Sequence, residues 1–269
     1  MTRPRVTRAR KSVGLPLSLP AVECKTGASM RQLWSLLSTG LNREFGVARW
    51  GHFGKPVILF PTGGADYLDV ERFLLVRALT PLVEAGRIKV YAVDSVCRDG
   101  WLGDGPAREK VQLQVAYDRW LSEVLFPHIR QDCGGTDQSF AVAGASLGAY
   151  QAWTAAARHP HEVDLCVGMS GTYLMDRRLD GYWDEEWYHH DPRQFLANVD
   201  EGVLLDSLRR VQFVLGLGER WENPTYTETA AEVLSKKGIP VHLLRWRSPA
   251  GHDWPTWRTM LPQVLDALV

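Results

Sequence analysis

One short stretch, residues 139–151, constrains the fold more than any other part of the sequence. It begins with an apolar run at 140–143 that is typical of a buried strand, continues as Gly-Ala-Ser-Leu-Gly at 144–148, and ends in an alanine-rich run that favours a helix. A G-x-S-x-G pentapeptide between a strand and a helix predicts a sharp turn that exposes the hydroxyl of Ser146. The pentapeptide alone also fits a glycine-rich turn with an incidental serine, so the interpretation depends on partner residues elsewhere.

Length and composition exclude several classes of protein. The chain has 269 residues, 45% of them hydrophobic, which is enough for one sizeable core. Basic and acidic residues number 31 each, so no nucleic-acid partner is indicated. No apolar run approaches the roughly 18 residues of a membrane span, and we expect a soluble protein. Residues 1–25 predict a disordered basic tail rather than a signal peptide, because prolines interrupt the apolar stretch.

The four cysteines show no C-x-x-C spacing. This pattern predicts neither a metal site nor a disulfide framework, and a reducing, cytoplasmic location is the expected setting.

Strand-like and helix-like patterns alternate along the rest of the chain. Apolar runs of strand length lie at 55–60, 88–93, 140–143, 165–169, 211–215 and 241–246. Residues 32–41 fit either a helix or the lead into a hairpin, and 70–85 predicts one helix. The alternation predicts a mainly parallel sheet with helices on both faces, formed by a single α/β domain over 26–269. Residues 172–210 break the pattern and predict a small lid-like insertion after the strand that follows the serine.

A serine nucleophile requires a base and a group that orients the base. Three histidines after the turn lie in predicted loops: His189, His190 and His252. His252 follows the last strand, so we expect it at the sheet edge where the carboxyl ends of the parallel strands meet and where Ser146 lies. A helix-capping or surface role for His252 is the alternative. For His189 and His190 we favour a packing role.

Two glutamates after the strand at 211–215 could accept the N–H of His252. Glu222 lies past the turn and has the required reach, whereas Glu219 adjoins Arg220 and could pair with it on the surface. We favour Glu222 slightly and keep Glu219 as the alternative, with Asp176 a distant third.

An oxyanion formed at the serine would need two N–H donors. One is expected from Leu147, at the start of the helix. The second should come from the loop after 55–60, where Pro61 has no N–H and Thr62, Gly63 or Gly64 must supply it. The Gly-Gly pair also fits a plain tight turn.

With these features the chain resembles the putative-esterase family of α/β-hydrolases, which includes esterase D-like enzymes and mycobacterial mycolyltransferases. The most specific segment is His-Asp-Trp-Pro-Thr-Trp at 252–257, and Phe-Pro-Thr-Gly-Gly at 60–64 and Asp-Gly-Tyr-Trp-Asp at 180–184 also look like a bacterial branch of it. The resemblance covers about residues 45–265. It implies the α/β-hydrolase fold, with Ser146 as nucleophile, His252 as base, and a glutamate or aspartate after the penultimate strand as the orienting acid.

The chain departs from that branch near the acid. Many relatives resemble Gly-Glu-x-Asp where this chain has Gly-Glu-Arg-Trp at 218–221. A mycolyltransferase-like placement, with an aromatic or apolar residue before the glutamate, fits Glu222 better.

Together these observations predict a serine hydrolase that cleaves a small-molecule carboxylic ester through an acyl-enzyme, without a metal or organic cofactor. Two alternatives stay open: transfer of the acyl group to an alcohol, and a non-catalytic binding scaffold. Aromatic residues of the insertion could line an acyl pocket or pack the insertion's own core: Tyr173, Tyr182, Trp183, Trp187, Tyr188 and Phe195.

Overall fold

The computed structural model describes residues 31–135 and 137–269, and within them the strands form one open, eight-stranded sheet. The strands are β1 (Arg31–Ser38), β2 (Arg43–Trp50), β3 (Lys55–Phe60), β4 (Ile88–Val93), β5 (Phe140–Ala145), β6 (Val163–Met169), β7 (Gln212–Arg220) and β8 (Val241–Gly251). Their order is β1-β2-β4-β3-β5-β6-β7-β8. The pairs β1–β2 and β2–β4 are antiparallel, and all other neighbours are parallel.

Ten α-helices lie in the described part of the chain. They are α1 (Asp69–Arg72), α2 (Leu75–Glu84), α3 (Ala107–Trp120), α4 (Phe126–Asp132), α5 (Leu147–Arg158), α6 (Glu185–His190), α7 (Pro192–Asn198), α8 (Val203–Leu208), α9 (Pro224–Lys236) and α10 (Trp254–Leu268). A π-helical turn at Leu121–Leu125 joins α3 to α4, and a 3₁₀ turn occupies Asp176–Arg178. No helix in the described ranges has the length and apolar character that crossing a membrane requires.

The helices cover both faces of the sheet, because the central strands are apolar on both sides. Successive side chains of a strand point to opposite faces. Ile58 and Phe60 of β3 therefore join a core formed with α3, α4 and α5, whereas Val57 and Leu59 join a second core formed with α2 and α10. The predicted α/β class, mainly parallel with helices on both faces, is confirmed.

Two sequence expectations about local structure are resolved. The early segment takes the hairpin alternative, since β1 and β2 pair in antiparallel register. The single helix expected at 70–85 is wrong, because Leu74 has φ 63° and a right-handed helix cannot continue through that conformation. Phe73, whose apolar side chain suggested the continuous pattern, is turned outward and stacks on Trp254 with ring centroids 4.8 Å apart.

The junction of β5 and α5 depends on close backbone approach. A Cβ added to Gly144 would lie 2.2 Å from the carbonyl oxygen of Gly148. One added to Gly148 would lie 2.6 Å and 2.5 Å from the carbonyl oxygens of Phe60 and Pro61. The start of α5 therefore rests directly on the end of β3, and side chains at these two positions are excluded.

Segment 172–210, between β6 and β7, is tied to the rest of the domain by a buried carboxylate. Asp118 of α3 is 6% exposed, and it accepts hydrogen bonds from Arg158 Nε at 2.8 Å and His159 Nε2 at 2.9 Å, at the end of α5. His190 of α6 places Nε2 3.6 Å from the same carboxylate, and its carbonyl accepts the hydroxyl of Tyr150. His190 therefore has the packing role expected of it, while His189 is exposed.

The predicted basic tail at 1–25 lies outside the described residues, as does the first part of the predicted 26–269 domain.

Replacing Asp118 should destabilise the protein in a pH-dependent way. Burial alone would raise the pKa of Asp118, but the hydrogen bond from His159, the nearby His190 imidazole and the charge of Arg158 lower it well below its ordinary range. The ionised form therefore stabilises the fold above the unfolded-state pKa of about 3.9, and this contribution is lost as pH falls. We expect Asp118→Asn to lower the free energy of unfolding by about 3 kcal/mol near pH 7, with the difference narrowing below about pH 4.

Urea unfolding at several pH values measures this difference. The control is Asp266→Asn, which breaks an exposed pair with Arg87 and should cost less than about 1 kcal/mol. Equal effects of the two substitutions would contradict the anchoring role of Asp118.

Gly148→Ala should also be costly, because the new methyl group meets two backbone carbonyls that cannot move aside. We expect a loss of about 2–3 kcal/mol in the free energy of unfolding. Gly40 offers a matched control, since an added Cβ there has no heavy atom within 4 Å. Gly40→Ala should stay within about 0.5 kcal/mol of wild type, and a Gly148→Ala protein of wild-type stability would show that the backbone contact is not tight.

Candidate active site

Ser146 lies between β5 and α5 in a strained backbone conformation. Its φ of 57° and ψ of −120° are unfavourable for a residue with a side chain. The strain is held by neighbours: the Ser146 N–H donates to the Met169 carbonyl at 3.0 Å, and the Ser146 carbonyl accepts the Thr172 N–H at 3.1 Å. The strand, sharp turn and helix expected around Ser146 are thus present, and strain of this kind is characteristic of functional positions.

The structure brings His252 and Glu222 together. His252 follows β8, and its Nδ1 lies 3.9 Å from Glu222 Oε2, a distance that allows an ion pair but exceeds a hydrogen bond. Glu222 follows β7 and its side chain is 5% exposed. Its other oxygen, Oε1, accepts the Gly218 N–H at 3.0 Å and the hydroxyl of Ser170 at 2.5 Å. Two donors therefore fix the carboxylate beside the imidazole.

A third partner of this pair was not identified from the sequence. Ser170 follows β6 with φ 50°, and its N–H donates to the Gly216 carbonyl at 2.7 Å. Its hydroxyl, besides donating to Glu222, accepts the indole N–H of Trp257 at 2.9 Å. Trp257 also packs edge-on against His252, with ring centroids 5.2 Å apart. Ser170 and Trp257 thus support the carboxylate and the imidazole at once.

A signal for Ser170 was available in the sequence. It is a polar residue directly after a buried strand, at the edge where Ser146 is expected.

The other two carboxylates considered for the acid are engaged elsewhere. Glu219 belongs to β7 instead of a loop, is exposed, and accepts the Ser248 N–H of β8 at 2.9 Å. Asp176 pairs with Arg193 at 2.7 Å. Of the three carboxylates, Glu222 is the one placed beside His252.

The backbone N–H groups of the loop after β3 differ in their partners. Thr62 donates both its N–H and its hydroxyl to Asp69, at 3.2 Å and 2.8 Å, so its N–H is already used. Neither the Gly63 N–H nor the Leu147 N–H has an acceptor among the described residues. Gly63 also lies close to Leu147, since an added Cβ would be 2.9 Å from the leucine Cδ1. The Gly64 carbonyl accepts Arg98 Nε at 2.8 Å, which holds the loop in place.

A cleft of about 550 Å³ has Ser146 and His252 among its lining residues. It is lined by Thr62, Gly63, Leu102, Ser146, Leu147, Thr172, Arg178, His252, Asp253, Trp254, Pro255 and Trp257. None of the six aromatic residues of segment 172–210 named above lines it, and Tyr173, Trp187 and Phe195 are buried in the core. The segment instead contributes Thr172 and Arg178.

Arg178 was also not identified from the sequence, where it is one of two adjacent arginines with no pattern to distinguish them. Within residues 31–135 and 137–269, no group of His, Cys, Asp and Glu side chains is arranged to hold a metal ion. The cleft instead combines the Ser146 hydroxyl with an imidazole that has a carboxylate behind it, and two of its lining residues, Gly63 and Leu147, have N–H groups without an acceptor among the described residues. This combination suits attack on a carbonyl carbon.

Comparison with known proteins agrees with this fold. The model of a family described as putative esterase matches residues 105–268, more than half of the chain. A search of curated proteins found no match.

Solved structures share the architecture at low identity. A ferulic acid esterase is 17% identical with a TM-score of 0.66, over 87% of this chain and 95% of that one. MPT51 (FbpC1) of Mycobacterium tuberculosis is 19% identical with a TM-score of 0.64, over 89% and 98%. An S-formylglutathione hydrolase from Agrobacterium tumefaciens is 16% identical with a TM-score of 0.64, over 90% and 96%.

At such identities the structural likeness establishes the fold alone, which is that of the α/β-hydrolases. The family match adds the relationship in sequence. The chain therefore belongs to the putative esterase family, a membership that supports ester hydrolysis as its general activity.

Proposed function

We propose that this chain is a serine hydrolase that cleaves carboxylic esters through an acyl-enzyme intermediate. The observation that carries the proposal is the cleft shared by Ser146 and His252, with the Glu222 carboxylate 3.9 Å from the imidazole. The esterase family match supports it, as does the structural likeness to proteins named as a ferulic acid esterase and an S-formylglutathione hydrolase.

The proposed reaction has two halves. Ser146 Oγ attacks the ester carbonyl carbon while His252 Nε2 takes its proton, and the imidazolium then gives that proton to the departing alcohol. Water attacks the acyl-enzyme with His252 again as base, which releases the acid and restores the serine. Glu222, on the Nδ1 side, orients the ring and stabilises its positive charge in both halves. Catalytic hydrogen bonds are often long before substrate binds, so the distance of 3.9 Å is compatible with this role.

We further propose that Leu147 and Gly63 supply the oxyanion donors. The Thr62 N–H is occupied by Asp69, whereas the Gly63 N–H has no acceptor among the described residues and borders the cleft. Gly64, the other donor expected from the sequence, is not among the residues that line the cleft. Loss of one such donor typically costs about 3 kcal/mol of transition-state stabilisation in acyl transfer.

Acyl transfer to an alcohol shares every step up to the acyl-enzyme, so it remains the second candidate. Product analysis with competing alcohols separates it from hydrolysis. A binding scaffold without catalysis would leave Ser146 unreactive toward a phosphonate probe. The cytoplasmic location stays a prediction from the cysteine spacing.

One prediction of the proposed reaction concerns the nucleophile and the base. Hydrolysis of p-nitrophenyl esters of increasing acyl length should fall at least about 10³-fold in Ser146→Ala and in His252→Ala, because the two side chains act as a unit. His189→Ala, at an exposed histidine of α6, is the control and should keep wild-type rates. Full activity in Ser146→Ala, or a folded wild type that cleaves none of the esters, would contradict the proposal.

Another prediction of the proposed reaction concerns the acid. Glu222→Gln preserves shape but removes the charge that orients His252, so kcat should fall by about 10³–10⁴-fold. Glu219→Gln, which alters a surface contact with β8, should change kcat by less than about twofold. A reversed ranking would assign the acid to Glu219. The rate at which a fluorophosphonate labels Ser146 is a second measurement, and it should rank the two variants in the same order as kcat does.

A further inference from the structure

Arg178 lines the cleft and carries a positive charge that the proposed reaction does not use. It ends the 3₁₀ turn at Asp176–Arg178, is half-buried, and lines the cleft together with Ser146 and His252. Ester hydrolysis by a serine needs a hydroxyl, a base, an acid and an oxyanion site, all of which other residues supply. The guanidinium is therefore available to the substrate.

The guanidinium is held in place without being neutralised. Arg178 Nη1 donates to the carbonyl of Trp101 at 3.1 Å, and Trp101 is 1% exposed in the core. No carboxylate of the described residues lies within ion-pair distance of Arg178. Arg193 of the same segment differs, because it pairs with both Asp176 and Asp191. A neutral carbonyl thus anchors one nitrogen of Arg178, and the remaining N–H groups of the guanidinium keep their capacity to donate hydrogen bonds.

The other ionisable groups of the cleft have partners of their own. Asp253 caps α10, where its Oδ1 accepts the Thr256 N–H at 2.9 Å and its negative charge faces the helix N-terminus. The His252 imidazole lies beside the Glu222 carboxylate. The apolar residues that line the cleft include Leu102, which is 42% exposed, and Trp254, which stacks on Phe73. Among the described residues that line the cleft, Arg178 is thus a cation without a carboxylate partner, and it lies beside apolar surface.

We propose that Arg178 is a specificity-determining residue, which selects esters that carry a carboxylate separated from the scissile carbonyl by an apolar spacer. A guanidinium matches a carboxylate with two parallel hydrogen bonds, and partial burial strengthens the pair relative to water. The apolar walls accommodate the spacer. This inference rests on the proposed function, and it assigns no chemical step to Arg178.

The test compares charged and neutral esters of matched size. On the acyl side, mono-p-nitrophenyl adipate is compared with p-nitrophenyl hexanoate. On the alcohol side, 4-carboxyphenyl acetate is compared with phenyl acetate. Wild type should prefer the anionic member of at least one pair in kcat/KM, and the pair that shows the preference identifies which side of the ester Arg178 contacts. The preference should weaken at high salt.

Arg178→Met keeps the apolar stem and removes the charge. It should lower kcat/KM for the preferred anionic ester by about 10–100-fold, mainly through KM, and leave the neutral ester within about twofold. Arg178→Lys should restore part of the preference. The matched control is Arg177→Met, because Arg177 is exposed and donates to the hydroxyl of Tyr226, away from the cleft lining.

Calorimetric binding of the products adipate and 4-hydroxybenzoate separates failure of this inference from failure of the proposed function. Binding to wild type that is lost in Arg178→Met supports the carboxylate site even if no ester is cleaved. An equal loss on charged and neutral esters in Arg178→Met would assign the residue a structural role through Trp101, and overturn the inference. The inference would also be overturned if wild type preferred the neutral esters. It would be overturned likewise if wild type neither bound the two carboxylates nor distinguished the anionic esters from the neutral ones.

Discussion

The contact of the α5 N-terminus with the end of β3 is the constraint on which the site depends. Gly148 lets the two backbones touch at the carbonyls of Phe60 and Pro61, and no side chain fits between them. Leu147, at the start of α5, and Gly63, in the loop after β3, both line the same cleft. The turn that positions the serine thus also brings together two residues that are distant in sequence and that we propose as the oxyanion donors.

The sheet could be predicted because its central strands leave a simple signal. Buried parallel strands are apolar on both faces, and the runs at 55–60 and 88–93 coincide with β3 and β4. Ser146 and His252 could be chosen because strand ends meet at one edge. The break at Leu74 could not be predicted, because a left-handed leucine has no sequence signature. The long ends of β7 and β8 were also missed, since polar residues such as Glu219 and Arg220 do not resemble a strand.

The choice between Glu219 and Glu222 as the orienting acid could not be made from their sequence spacing alone. Glu219 and Glu222 are three residues apart, and either could reach a histidine from a flexible loop. The structure separates them because β7 continues through Glu219 and directs it toward Ser248, while the chain turns at Trp221 and buries Glu222 against Ser170. Burial and hydrogen-bond partners distinguish the two glutamates, and both depend on contacts between distant parts of the chain.

The buried Asp118 has a consequence for cooperativity. Its carboxylate joins α3, the end of α5 and α6, so the helix that carries the strained serine and the segment that supplies Arg178 share one set of buried polar contacts. If either element opened alone, the buried Asp118 carboxylate would lose part of its partners, which makes separate local unfolding costly. Amide hydrogens of α5 and α6 should therefore exchange with solvent through a common opening.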